Sequence, residues 1–348
     1  MFTNEDAAYL SRALYLAKMG MSGVQPNPLV GAICVKDGQI IGEGYHTAYG
    51  RAHAEPEAIR QVKNSELLND ATLYVTLEPC NHQGKTPACT ELIISSGIKR
   101  VVVGMTDPHP LVKGSGIKRL RSAGIHVDMA PDAKPFEQLN KIFLHNIRTK
   151  KAWCTLKWAE DAQGIIGDKE KTLHISSEAS KSYTHSLRAH HQAILIGVGT
   201  ALADRPMLNT RFYPGHNPLK IIMDPEAIAG EYIKSLPLGE RILWCTLKAD
   251  DRHPGNIVLD ELLFTNVNEF LTWLFLEEKI SSVLVEGGAF LLNIFIKCEA
   301  WNEIIVLKNQ YNREVKDPVW APETSHLGIE DEVFSICSDR ISIFRFNQ

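Results

Sequence analysis

Four residues constrain what this chain can fold into more than any others: His53 and Glu55 in His53-Ala54-Glu55, Cys80 after Pro79, and Cys89 beyond the eight-residue loop from Asn81 to Ala88. One imidazole and two thiolates are donors of the kind zinc takes, so the fold has to carry position 53 to both cysteines. Three protein ligands leave the fourth position of a tetrahedral zinc to water, the pattern of catalytic rather than structural sites. Glu55 is then spare. A carboxylate two residues from the histidine can collect a proton from that water and hand it to a leaving amine, which predicts hydrolytic deamination. Taken singly, Cys80 and Cys89 read as buried thiols and His53 as a core histidine; taken together and in this order they point to metal.

At 348 residues the chain exceeds the usual size of one core, and two domains are expected, over 1–147 and 148–348. No apolar stretch reaches the roughly 20 residues that span a bilayer. Acids stand near the start, at Glu5 and Asp6, where a secretory signal is basic and then apolar. Seven cysteines, scattered and odd in number, fit a reducing compartment, so a cytoplasmic protein with no membrane partner is expected. Beyond the two in the motif, Cys34, Cys154, Cys245, Cys298 and Cys337 read as core or semi-exposed thiols. The net charge of −4 divides as +1 over 1–147 and −5 over 148–348. Neither half carries the basic stripe of a protein that grips nucleic acid, so a small-molecule substrate is expected.

Helical and strand patterns alternate along both halves. The first reads as a helix over 5–19, strands over 29–35 and 40–45 joined by Asp37-Gly38, and a helix over 53–62. A strand at 71–76, a helix at 86–96, a strand at 100–105, a helix at 112–123 and a strand at 125–129 follow, then a linking helix at 136–146. The second half reads as strands at 153–157, 193–198, 219–223, 242–246 and 282–285, with helices at 177–190, 266–279 and 290–297. Such alternation predicts α/β domains, each a sheet covered by helices. His53 and the Cys80/Cys89 pair then fall at helix N-terminal ends, where backbone dipoles favour thiolate.

His-x-Glu followed by Pro-Cys resembles the zinc nucleobase deaminases, whose two cysteines are separated by two residues. Here eight residues intervene. Pro26-Asn27-Pro28-Leu29-Val30-Gly31, Gly44-Tyr45-His46, Leu77-Glu78-Pro79-Cys80, Gly84-Lys85-Thr86-Pro87 and Asp107-Pro108 extend the likeness to one family, the bifunctional riboflavin-biosynthesis deaminase/reductases. Leu187-Arg188-Ala189, Gly199-Thr200-Ala201-Leu202-Ala203-Asp204, residues 208–211 and Val285-Glu286-Gly287-Gly288 continue it to about residue 297.

The resemblance implies a cytidine-deaminase-like three-layer α/β/α domain followed by a dihydrofolate-reductase-like α/β domain, with zinc and NADPH as cofactors. It implies deamination of 2,5-diamino-6-(5-phosphoribosylamino)pyrimidin-4-one, with Glu55 shuttling protons, and then reduction of the ribosyl to a ribityl group. Asn27, His46, His82, Lys85 and Asp107 match the family's pyrimidine-site positions. Lys157, Thr172, Arg188, Leu208, Arg211 and Glu286 match its second substrate site; Ala159, His174, Thr200, Asp204, Gly287 and Gly288 match its cofactor positions. Reductase domains of the family pair, which implies a homo-oligomer, a dimer or a tetramer.

Several positions depart from the family. His109 and Glu57 replace the residues usual there, Asp161-Ala162-Gln163-Gly164 stands for Ser-x-Asp-Gly, Thr172 and His174 stand for a Ser/Trp pair, and Arg205 replaces an Asp. Three alternatives therefore stay open: a deaminase whose second domain is a scaffold without hydride transfer, a ligand-binding module with structural zinc, and an editor of nucleic-acid bases.

Overall fold

In the computed structural model, which describes residues 2–82, 87–109, 113–237, 239–249, 256–325, 327 and 330–346, the hairpin expected at Asp37-Gly38 forms. Both residues have positive φ, 49° and 74°, as a two-residue turn matched to strand twist requires. They join β1 (Gly31–Lys36) to β2 (Gln39–Tyr45). The chain divides into two units, Met1–Thr149 and Lys150–Gln348.

In the first unit β1 also pairs antiparallel with β3 (Thr72–Leu77), and β3, β4 (Arg100–Met105) and β5 (His126–Met129) run parallel, in the order β2-β1-β3-β4-β5. Alternate residues go to opposite faces. Ile33, Val35, Tyr74 and Val102 meet Leu10 and Leu16 of α1 (Asn4–Lys18). Ala32, Cys34, Leu73, Val75, Val101 and Val103 meet α2 (Ala54–Arg60), α3 (Cys89–Ser95) and α4 (Ser115–Ser122) through Ala58, Ile93 and Leu120. The result is three layers, α/β/α.

Backbone contact seats α2. A Cβ at Gly44 would stand 2.3 Å from the Ala58 amide nitrogen and 2.7 Å from the Ala54 carbonyl oxygen, so only glycine lets this helix lie against β2. The single linking helix expected over 136–146 is two, α5 (Lys134–Leu139) and α6 (Lys141–Thr149). Buried Asn140 lies between them, and its side-chain amide accepts from the Leu29 N–H at 2.8 Å and donates to the Leu29 carbonyl at 3.0 Å. Satisfying a strand-entry backbone 111 residues away is a purpose that helical periodicity does not reveal.

The second unit is built on β6 (Trp153–Glu160), which runs beyond the expected 153–157, and it continues through β7 (Ile165–Asp168), α7 (Glu178–His190) and β8 (Ala193–Gly197). The strand expected to reach residue 198 stops at Gly197, because α8 (Val198–Asp204) begins there. Next come β9 (Leu219–Met223), α9 (Gly230–Ser235), β10 (Ile242–Thr246), β11 (Asn256–Val258), α10 (Glu261–Thr265), α11 (Val267–Leu276), β12 (Ser282–Val285) and α12 (Ala289–Lys297). The stretch after Lys297, which carries no motif, supplies β13 (Glu303–Asn309), β14 (Pro318–Trp320), β15 (Glu332–Ile336) and β16 (Asp339–Arg345).

The main sheet has the order β11-β10-β9-β8-β12-β6-β13-β16-β15, parallel from β11 to β13. β12 returns late in the chain to lie between β8 and β6. The C-terminal ends of these three strands therefore open side by side, where α/β sheets take ligands. α8 and α9 cover one face through Ala201, Tyr232 and Ile233, while α11 and α12 cover the other through Phe270, Leu274, Leu292 and Phe295. Among the described residues no helix is long and apolar enough to cross a membrane.

Candidate active site

Each member of the quartet is delivered by an element end. His53 is the N-cap of α2, Cys89 opens α3, and Cys80 follows β3. Three donor atoms, one from each, lie within 4.8 Å of one another. His53 Nδ1 is 3.6 Å from Cys80 Sγ and 3.3 Å from Cys89 Sγ. A tetrahedral zinc with the usual bond lengths asks for edges of about 3.6 Å, so these residues fit the metal. The Cys89 backbone N–H points at Cys80 Sγ, 3.4 Å away. Hydrogen bonding from the Cys89 side chain, then from His53 and that N–H, lowers the Cys80 thiol, while its partner Cys89 is raised.

Glu55 is buried beside the sulfurs. Burial, and then the Cys80 thiolate, push its carboxyl up to about 7, against the pull of His53. That value suits a group that must take and give a proton near neutrality.

His46 closes another side. Its Nδ1 faces the Ala52 carbonyl at 2.9 Å and its Nε2 faces Asn27 Nδ2 at 3.0 Å, so the carbonyl selects the Nδ1–H tautomer and Nε2 accepts from the amide. Its ring meets that of His53 edge-on at 5.6 Å. Asp107 is half-buried and raised by burial, with the His109 N–H held at 2.8 Å. His82 is exposed; Lys85 lies outside the described residues.

Glu78 has no assigned role in the sequence reading. This buried carboxylate accepts the backbone N–H groups of Asp107 (3.1 Å), Gly114 (3.0 Å), Gly116 (2.9 Å) and Ile117 (3.2 Å). It ties the residue before Pro79-Cys80 to Asp107 and to the start of α4. A glutamate between an apolar strand and a ligand cysteine is the available signal.

In the second unit, Lys157 on β6, Arg188 on α7 and Glu286 after β12 gather into one charged cluster. Arg188 pairs with Glu286 through both ends of its fork, at 3.2 and 2.7 Å, and donates to the Asn209 carbonyl at 3.1 Å. Burial raises the Glu286 carboxyl, but Arg188 and then Lys157 hold it at about 2; burial lowers Lys157. Leu208 is buried with positive φ of 51°. Arg211 is exposed, donating to Asn209 Oδ1 at 2.7 Å.

The first turns of α8 and α12 have no side-chain cap, which leaves backbone N–H groups for phosphate oxygens. A Cβ at Gly288 would stand 3.3 Å from Thr200 Oγ1, so the missing side chain keeps that approach open. The cradle fits a dinucleotide phosphate. Asp204 is exposed at the C-terminal end of α8. Thr172 and His174 are exposed, and Ala159 packs against the Ile305–Leu307 cluster.

Asp161, one of the departures, has its own job. It is buried and accepts the N–H groups of Gln163, Ile165 and Arg313, each at 2.9 Å. It builds the turn after β6 and stays out of the charged cluster.

Residues 3–105 match the cytidine and deoxycytidylate deaminase zinc-binding region, and residues 152–309 match the RibD C-terminal domain. The riboflavin biosynthesis protein RibD of Aquifex aeolicus is 38% identical over 88% of this chain and 87% of its own length. That of Bacillus amyloliquefaciens is 41% identical over 85% and 82%. A crystal structure of a diaminohydroxyphosphoribosylaminopyrimidine deaminase/5-amino-6-(5-phosphoribosylamino)uracil reductase from Thermotoga maritima superposes with a TM-score of 0.86 at 32% identity, covering 98% of both chains.

Proposed function

The chain belongs to the RibD family of riboflavin-biosynthesis proteins, and from that premise we propose which of its residues perform each reaction. It is a bifunctional enzyme with deaminase and reductase activities, dependent on zinc and NADPH. The first domain, 1–147, carries the deaminase and the second, 148–348, the reductase. The substrates are those in the name of the Thermotoga relative: a diaminopyrimidinone bearing a phosphoribosylamino group, and the 5-amino-6-(5-phosphoribosylamino)uracil it becomes.

His53, Cys80 and Cys89 hold the zinc. Bound zinc activates the attacking water, and bound NADPH supplies a hydride. Glu55 takes the proton released by the water and delivers it to the departing amino group, which leaves as ammonia. Asn27, His46, His82 and Asp107 orient the pyrimidinone edge, and Lys85 anchors its phosphate. In the second site Arg188 and Arg211 pair with the sugar phosphate. Lys157 and Glu286 face the opened ribose, with Thr172 and Leu208 along its wall. Thr200, Asp204, Gly287, Gly288, Ala159 and His174 border the dinucleotide.

The observation that carries this reading is the convergence of one imidazole and two sulfurs beside a buried glutamate. The test follows ammonia and NADPH separately. Glu55→Gln retains zinc and loses ammonia release by about 100-fold or more, while NADPH oxidation with the deaminated intermediate continues. Wild-type ammonia release from this variant would remove Glu55 from the mechanism.

The enzyme acts on a small molecule in the cytoplasm, a reading supported by its free cysteines; its presence in a membrane or secreted fraction would count against it. It assembles as a dimer or tetramer. The exposed apolar residues Val333 and Phe334 on the edge strand β15 support that, since open edges invite pairing. A monomer in sedimentation at micromolar concentration would contradict it.

A further inference from the structure

We propose that His185 is an additional substrate-binding residue of the reductase site, its Nε2–H donating to the phosphate that Arg188 and Arg211 engage. The proposal rests on the reading of the second domain as a reductase for a phosphorylated sugar. His185 lies on α7 one turn before Arg188, so both side chains leave the helix on one face. It is only 4% exposed. Its ring meets Phe212 edge-on at 4.9 Å and 78°, and its Nδ1 accepts the Phe212 backbone N–H in a long bond of 3.5 Å. Its Nε2 has no partner among the described residues.

Around the ring stand Arg188, Arg211 and Lys157 as cations and Glu286 as the acid. Burial, and then the two arginines, hold the imidazole down at about 4, so near neutrality it keeps one proton. With Nδ1 accepting, that proton is on Nε2. A neutral donor among three cations suits a phosphate oxygen, because it adds a hydrogen bond without adding charge repulsion. The same ring backs the segment that carries Arg211, whose guanidinium lies 4.9 Å above Phe212.

Amide replacements separate the two nitrogens. Asparagine reproduces an acceptor near Nδ1, and glutamine reproduces a donor near Nε2. NADPH oxidation is measured against 5-amino-6-(5-phosphoribosylamino)uracil, with ammonia release from the same protein as an internal control. His185→Ala and His185→Asn should raise KM for that substrate about tenfold or more, and His185→Gln should stay within about threefold of wild type. KM for NADPH and ammonia release should be unchanged in all three. Rescue by asparagine but not glutamine would overturn the proposal in favour of a packing role through Phe212. Equal losses in all three variants, or none, would overturn it as well. A wild-type protein that oxidises no NADPH would instead defeat the reductase reading on which it rests.

Discussion

Glu55 and Glu286 are both buried glutamates, and their surroundings send them in opposite directions. Burial, and then the neighbouring Cys80, carry Glu55 up to about 7, whereas Arg188 and Lys157 hold Glu286 at about 2 despite burial. One can trade protons at neutral pH, and the other is a fixed negative charge. Asp6 shows the same physics put to stability. Arg100 grips both its oxygens at 2.7 and 2.9 Å, and Tyr74 donates at 2.7 Å, which holds the carboxyl well below its usual range. Since the folded value is the lower one, the contribution is complete above the unfolded pKa of about 3.9 and is lost as pH falls through the folded value. Asp6→Asn should therefore cost roughly 2–3 kcal/mol at neutral pH, with the penalty shrinking below about pH 4. Urea unfolding at both pH values measures it, and an equal penalty at both would refute the charge-based account.

At the scale of elements, α2 carries His53 at its cap and Glu55 in its first turn, and its depth is set by β2. Gly44→Ala inserts a methyl group where backbone already lies at 2.3 Å, so α2 must move outward. We expect a loss of about 3 kcal/mol, reduced zinc content and reduced ammonia release, with NADPH oxidation retained. Calorimetry and metal analysis check it; a variant as stable and as zinc-loaded as wild type would show that the helix tolerates the shift. The split of the linking segment at Asn140 belongs to this scale too. Its apolar periodicity runs on through the break, so what interrupts the helix is a partner at Leu29, not a local breaker.

Across the whole molecule the two chemistries use separate resources, so metal removal should divide them. Prolonged chelation should abolish ammonia release while leaving NADPH oxidation with the deaminated intermediate near its original rate, and added zinc should restore the first activity. Parallel loss of both would mean that zinc supports more than the deaminase site. The hairpin and the α/β alternation were legible in the amino-acid order because each depends on periodicity or turn chemistry within a few residues, and the quartet because its short strings, His53-Ala54-Glu55 and Pro79-Cys80, name their donors although 27 and 36 positions separate His53 from the two cysteines. Arg188 and Glu286 stand 98 positions apart, and Asp161 and Arg313 stand 152 apart. No local pattern announces such pairs. They meet because β12 returns between β8 and β6 and because β13 flanks β6, and the same sheet order turns His185 toward the charged cluster. Sequence alone determined which donors and acids the protein has and the elements that present most of them. The tertiary structure decided their partners, because a buried polar group takes whichever distant backbone or side chain the sheet brings within hydrogen-bonding reach.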